Sequence, residues 1–286
     1  MGEGVDGSDI NLPKCQDAFI EAAAATGTPL VGVHFNGRPI SSDAADQYLN
    51  AIVEAWNPSE MGAEAIVNVL TGKVNPSGKL PVSVAYHTGQ LPVYYNHPNG
   101  SSWHQAEASG SSTMWTAPIR RGISSVTASP TPPLPTAICR WTKRRQSLEE
   151  VHISCDIANT GDVAGTEVVQ LYLKDVHAPW CAPAWNFRAL QVELQPGEKK
   201  RVTFTVSPDQ TAFLDLAMNW KVEKGEISVL VGSSSADIRC QDAFCITETA
   251  PVVGRKRRFW AKAQQMSCDV GIGKRERISA FRNPLF

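Results

Sequence analysis

The sequence predicts an α/β unit followed by an all-β sandwich, and three observations carry that expectation. Up to about residue 108, short apolar runs alternate with helical stretches, an order that gives a largely parallel sheet covered by helices. From about 148 to 246, short strands are separated by turn signals about every ten residues, the grammar of a β-sandwich. Between them, residues 109–147 are rich in Pro, Thr and Arg and show neither period, which reads as a linker.

In the first unit, Pro13 to Ala25 places Phe19, Ile20 and Ala23 at helical spacing, with Pro13 at the helix start and Gly27 just past its end. Leu30–Phe35 (LVGVHF) and Ala51–Trp56 (AIVEAW) are apolar runs of strand length. Gly62–Leu70 is helical, with Ala65, Ile66, Val69 and Leu70 on one stripe and Gly72 as its stop. Leu80–Ala85 is a third strand candidate. In the second unit, Val151–Ile157 alternates as a half-buried strand and Asn159–Gly161 makes a turn. Val168–Leu173, Lys200–Val206, Trp220–Val222 and Ile227–Val231 follow as strands, with turns at Pro196–Gly197 and Glu223–Gly225. Residues 247–286 carry the basic clusters RKRR (255–258) and KRER (274–277), expected to lie in a solvated tail.

Composition narrows the function classes. The 286 residues hold 27 Lys and Arg against 28 Asp and Glu, a formal net charge of −1. That balance argues against a general nucleic-acid binder. No apolar run reaches the roughly 18 residues of a membrane span, so neither nucleic acid nor membrane is expected as a partner. The opening MGEGVDGSDINLP lacks a basic region followed by an apolar stretch, so no secretory leader is expected. Seven cysteines at irregular spacing, without a CxxC pair, disfavour a zinc site and a dense disulfide framework.

Several strings resemble glycoside hydrolase family 3. Asn75–Pro81 (NPSGKLP) resembles that family's NPSGRLP, and Gly89–His97 (GQLPVYYNH) resembles its GQIPVYYNH. NGRP at 36–39 follows a strand as it does there, and Glu60–Ile66 (EMGAEAI) resembles a family helix start. NTGDVAGTEVVQLYLKDV (159–176) and LQPGEKKRVTFT (194–205) resemble the family's fibronectin type III-like domain. The resemblance implies a partial α/β sandwich domain over 1–108 and a fibronectin type III-like β-sandwich over 148–246. It also implies that a (β/α)8 barrel carrying the nucleophilic aspartate lies outside this chain, which is then a fragment.

In many members of the family a glutamate in an SGEG-type loop is the general acid/base. Met1–Pro13 resembles that loop, and Glu3 falls on the acid/base position. Retaining glycosidases use two carboxyl groups roughly 5 Å apart, one nucleophilic and one protonating the leaving oxygen. Gly7 stands where the family usually has arginine, a departure that weakens the local charge pattern. His34 reads as a packed histidine rather than a base. Trp56 reads as core rather than a sugar platform, and Asp43 and Asp46 as acids near a helix start. Trp103–His104 resembles a family loop at the active-site rim.

The family's aromatic-glycine string between the two domains, of the type YPFGYGLSYTTF, has no counterpart in the printed sequence. Regrouping the codons of Gly122–Lys143 from the last base of the first codon yields YQFGHGLTYTTLAYRDLQMDK, which resembles it. Trp141–Thr142 forces Asp in that frame, and Met114–Thr116 forces Val–Asp. The same regrouping turns Pro179–Leu190 (PWCAPAWNFRAL) into MVRPGMELPGF, close to the family's MVRPVKELAGF. Residues 109–147 are therefore expected to be an out-of-frame linker, with Cys139 and Cys181 products of the slip.

The resemblance implies retaining hydrolysis of terminal, non-reducing β-D-glucosyl residues, on a β-linked glucoside or oligosaccharide, with no metal or organic cofactor. A β-xylosidase of the same family and a non-catalytic sugar-binding module are the alternatives. The family is often secreted; the sequence leaves compartment and oligomeric state open.

Overall fold

The computed structural model describes residues 9–82, 84–85, 89, 91, 138–141, 145–146, 149–176, 186–235 and 237–267. In the first unit, α1 (Lys14–Ala24) starts after Pro13, whose φ of −56° suits the helix entrance. Gly27, at φ 72°, turns the chain out of it. Strands β1 (Val31–His34) and β2 (Ala51–Glu54) pair in parallel, Val31 opposite Ala51 and His34 opposite Glu54. Between them runs α2 (Asp43–Tyr48), capped by the Ser42 hydroxyl, which accepts from the Ala45 N–H at 3.0 Å. The same hydroxyl donates to Asp17 at 2.7 Å, tying α2 to α1. α3 (Gly62–Leu70) ends as expected at Gly72, again at φ 72°. Its first glycine is required by packing, since a Cβ at Gly62 would overlap the Pro58 ring.

The expected strand over Leu80–Ala85 does not form among the described residues of that stretch. The apolar stripes are also less buried than their periodicity implies. α1 buries no residue, and Phe19 is 73% exposed. On α3, Ile66 and Val69 are half-buried while Ala65 and Leu70 are exposed.

The second unit is a two-sheet sandwich. One sheet has the order β4–β12–β11–β6–β7, formed by β4 (Arg145–Gln146), β6 (Gly165–Asp175), β7 (Asn186–Leu194), β11 (Gly225–Gly232) and β12 (Ile238–Ile246). The other has the order β14–β8–β5–β3, formed by β3 (Ile138–Trp141), β5 (Val151–Ala158), β8 (Lys199–Val206) and β14 (Lys262–Ser267). A small third sheet joins β9 (Phe213–Leu214), β10 (Trp220–Val222) and β13 (Ala250–Pro251). Alternation selects the core: Val151, Ile153, Cys155 and Ile157 of β5 point inward with Val202, Phe204 and Val206 of β8. They meet Leu171 and Leu173 of β6, Val229 and Val231 of β11, and Phe244 and Ile246 of β12. Burial pushes the Cys155 thiol up to about 12, with the Asp156 charge adding to it, which makes this cysteine an inert packing residue.

Asn159 shows why the NTG turn is built as it is. Its side-chain amide donates to the carbonyls of Val163 (2.9 Å) and Leu194 (3.2 Å), and its oxygen accepts from the Gly161 N–H. One buried side chain thus closes the β5–β6 turn and holds it to β7.

Two expectations need correction. Part of the supposed linker is strand: β3 pairs antiparallel with β5, and β4 pairs with β12. The solvated tail does not begin at 247 either, since β13 and β14 extend the sandwich and Ala261 joins its core. Both segments add edge strands, whose backbone pairing demands little of side-chain sequence.

Candidate functional site

The site expected from the sequence centres on Glu3, which lies outside the described residues, as do Trp103 and His104. The described chain begins at Asp9, six positions after Glu3. Asp9 caps its own turn by accepting from the Asn11 N–H (2.9 Å) and side-chain amide (2.7 Å). Asn11 bridges Ser41 in parallel, with the Leu12 N–H donating to the Ser41 carbonyl and the Ser41 N–H to the Ile10 carbonyl. Arg38, in the loop leaving β1, donates to the Asp9 carbonyl at 2.5 Å. Asp9–Leu12 is therefore fastened to the loop at the carboxyl end of β1. In open α/β sheets that end is where ligands bind.

The β2 exit lies beside it. The Asn36 N–H donates to the Trp56 carbonyl, and Trp56 and Ser59 adopt φ of 52° and 54°. Positive φ at two non-glycine residues is costly backbone, of order 1–3 kcal/mol each, and such positions cluster at functional loops. The Asn36 side-chain oxygen is buried here with no hydrogen-bond partner among the described residues.

His34 is half-buried, and its Nδ1 lies 3.6 Å from Glu54 Oε2, the residue opposite it in the ladder. Asp46, beside it, is shifted up, first by burial, then by the Asp43 charge, with His34 acting the other way. Reading His34 as a packed residue missed this acidic surrounding. Only the parallel register sets His34 against Glu54, and single-strand patterning does not give register.

A second group ties the two units together. Lys79, in NPSGKLP, lies 3.1 Å from Glu167 of β6, with both side chains nearly buried, 7% and 10% exposed. Asn75 of the same motif donates to the Ala164 carbonyl at 3.2 Å. The motif thus docks the first unit on the sandwich rather than lining the β1 and β2 exits.

An α/β unit with a loop cluster at the carboxyl ends of its strands is thus docked by a nearly buried ion pair on a two-sheet sandwich. Residues 1–116 match the glycosyl hydrolase family 3 C-terminal domain and residues 167–235 the fibronectin type III-like domain, and the chain belongs to glycosyl hydrolase family 3. It is 34% identical over 241 residues to a periplasmic beta-glucosidase of Salmonella typhimurium, covering 81% of this chain and 31% of that protein. It is 34% identical over 242 residues to a beta-xylosidase of Formosa agariphila, covering 82% of this chain and 32% of that one. The beta-glucosidase of Listeria innocua in complex with glucose superimposes with a TM-score of 0.78 at 29% identity, over 86% of this chain and 35% of that one. The chain thus spans about a third of the length of the relatives it matches.

Proposed function

We infer that this chain is the acid/base-bearing, C-terminal portion of a retaining glycosidase acting on terminal β-D-glucosyl residues. The observation that carries the reading is the fastening of Asp9–Leu12 to the loop leaving β1. Asp9 lies six positions along the chain from Glu3, a reach of roughly 20 Å. That is enough to bring the Glu3 carboxyl over the loops at the carboxyl ends of β1 and β2. Glu3 protonates the departing glycosidic oxygen and then, as carboxylate, takes a proton from the attacking water. The nucleophile that forms the glycosyl-enzyme comes from the part of the relatives' length that this chain does not span. Similarity to both beta-glucosidases and a beta-xylosidase supports the sugar class; glucoside is preferred because beta-glucosidases predominate among the relatives and structures it resembles.

The test is a chimaera joining the N-terminal two-thirds of the Salmonella relative to this chain. It is expected to hydrolyse aryl β-glucosides, and Glu3→Gln is expected to lower kcat by about 10²–10⁴. The loss should be smallest for substrates with acidic leaving groups, which need no proton. An equal loss for all leaving groups would remove Glu3 from the acid role. The 286-residue polypeptide by itself is expected to give no turnover, and enzyme-like rates from it would refute the division of labour.

A further inference from the structure

The basic cluster at 255–258 is built into the sandwich rather than trailing from it. Val252 donates its N–H to the Trp220 carbonyl, and Gly254 lies against the Trp220 ring, where a Cβ would overlap it. The Arg257 guanidinium stacks 3.7 Å from the centroid of Trp220 and 4.5 Å from that of Phe259, and donates to the Ala212 carbonyl. Arg258 pairs with Glu150, and its N–H donates to Asp209. These two arginines fix the segment, and Arg255 and Lys256 are left exposed on a short turn between them and β13.

Around that turn the surface is apolar. Val253, Phe259 and Trp260 are each more than 60% exposed, and Leu216 and Met218, at the tip of the β9–β10 hairpin, more than 70%. Asp215, the acid of the same tip, is turned to its own backbone, accepting from the Ala217 and Asn219 N–H groups. Charge points the same way. From Val253 to Ser267 there are five Lys and Arg and no Asp or Glu, in a chain of net charge −1.

We propose that this face docks on an anionic lipid surface, with Trp260, Phe259, Val253 and the hairpin tip in the headgroup layer and Arg255 and Lys256 on the lipid charges. Aliphatic residues mixed with exposed aromatics and cations suit a bilayer interface, where amphipathic rings and basic side chains concentrate. A sugar platform would present aromatic faces without Leu216, Met218 and Val253. Peripheral docking needs no membrane span, and among the described residues no helix is long and apolar enough to be one. The proposal uses none of the residues assigned to the glycosidase site.

The experiment is co-sedimentation of the full chain with vesicles of phosphatidylcholine alone or with one quarter phosphatidylserine. Binding is expected to the anionic vesicles and to weaken about tenfold or more with Arg255→Glu/Lys256→Glu and with rising salt. Trp260→Ser/Met218→Ser, at exposed positions, is expected to weaken it several-fold with an unchanged melting temperature. Equal binding to both vesicle types, or full binding by either variant, overturns the proposal. So does capture by heparin that depends on the two charges and not on Trp260, which would identify a soluble polyanion instead.

Discussion

The two units use similar apolar strings to different effect. In the sandwich, alternating strands of two sheets meet face to face, and Ile153, Val192, Leu194, Val202 and Phe204 lose essentially all exposure. Among the described residues of the α/β unit, two parallel strands and three helices leave Phe19, Val31, Phe35, Val67 and Leu70 largely in solvent. A parallel pair needs cover on both faces, and two strands make too small a sheet to stand alone. Apolar period alone therefore does not say how much is buried; the second layer decides it. The sandwich holds its own core, whereas the described part of the α/β unit buries few of its apolar side chains.

The sharpest way to break this contrast is a pair of truncations. Phe204→Ala is expected to cost about 3–5 kcal/mol in urea unfolding, while Phe19→Ala should stay within about 0.5 kcal/mol. Comparable losses would mean that α1 is packed in solution. Next in size is the joint between the units. Lys79→Met leaves the Glu167 carboxylate nearly buried without its cation and is expected to cost about 3 kcal/mol, mostly recovered in Lys79→Met/Glu167→Met. If the double variant is as unstable as the single one, charge is not what the joint supplies.

A smaller effect is expected at the sandwich segment whose codons regroup into a family-like string. Replacing Pro179–Leu190 by MVRPGMELPGF should raise the melting temperature by a few degrees, corresponding to about 1 kcal/mol. No gain would leave the segment a tolerated divergence. Transcripts supply an independent check: the slip requires AGT or AGC at Ser124 and GTC or GTT at Val126, and a TCN codon at Ser124 rules it out.

The smallest expected effect is of opposite sign in the two units. Burial alone would raise Asp237, but hydrogen bonds from Ser233 and Arg239, with the Arg239 and Lys79 charges, hold it below the usual range. Its contribution is present above the ordinary aspartate pKa and is lost as pH falls through its lowered value. Asp46 is raised, so its contribution is present below the ordinary value and is lost as pH rises through its own. Near neutral pH, Asp237→Asn should therefore destabilise and Asp46→Asn should slightly stabilise, measured as melting temperature against pH. Shifts of the same sign would contradict the assigned surroundings.

Sandwich strands β5, β6 and β8 were legible because alternation and the NTG and PGE turns fix period and ends together. The helix over 62–70 was legible for the same reason, with Gly72 as its stop. Strands β3 and β14 were not, because edge pairing is a backbone event and leaves little pattern in residues such as Lys262–Ser267. The Lys79–Glu167 joint was hidden by distance along the chain, and the His34–Glu54 pair by register. Arg188 is informative in another way. Its Nε is buried without a hydrogen-bond partner among the described residues. It falls inside the segment whose codons regroup into MVRPGMELPGF.

Strand β14 lies at one margin of its sheet, pairing Lys262–Ser267 with Thr205–Lys200 more than fifty residues earlier in the chain. Without it, β8 would offer an open row of N–H and C=O groups to any neighbouring strand, an invitation to self-association. During synthesis that row stays uncapped until Ser267 has been made and is free to fold back. The ladder is long-range and correspondingly slow to close. A chain cut after residue 235, where the fibronectin-like match ends, would lose β12 as well as β14 and expose a margin of both sheets. Such a product is expected to precipitate rather than remain monomeric.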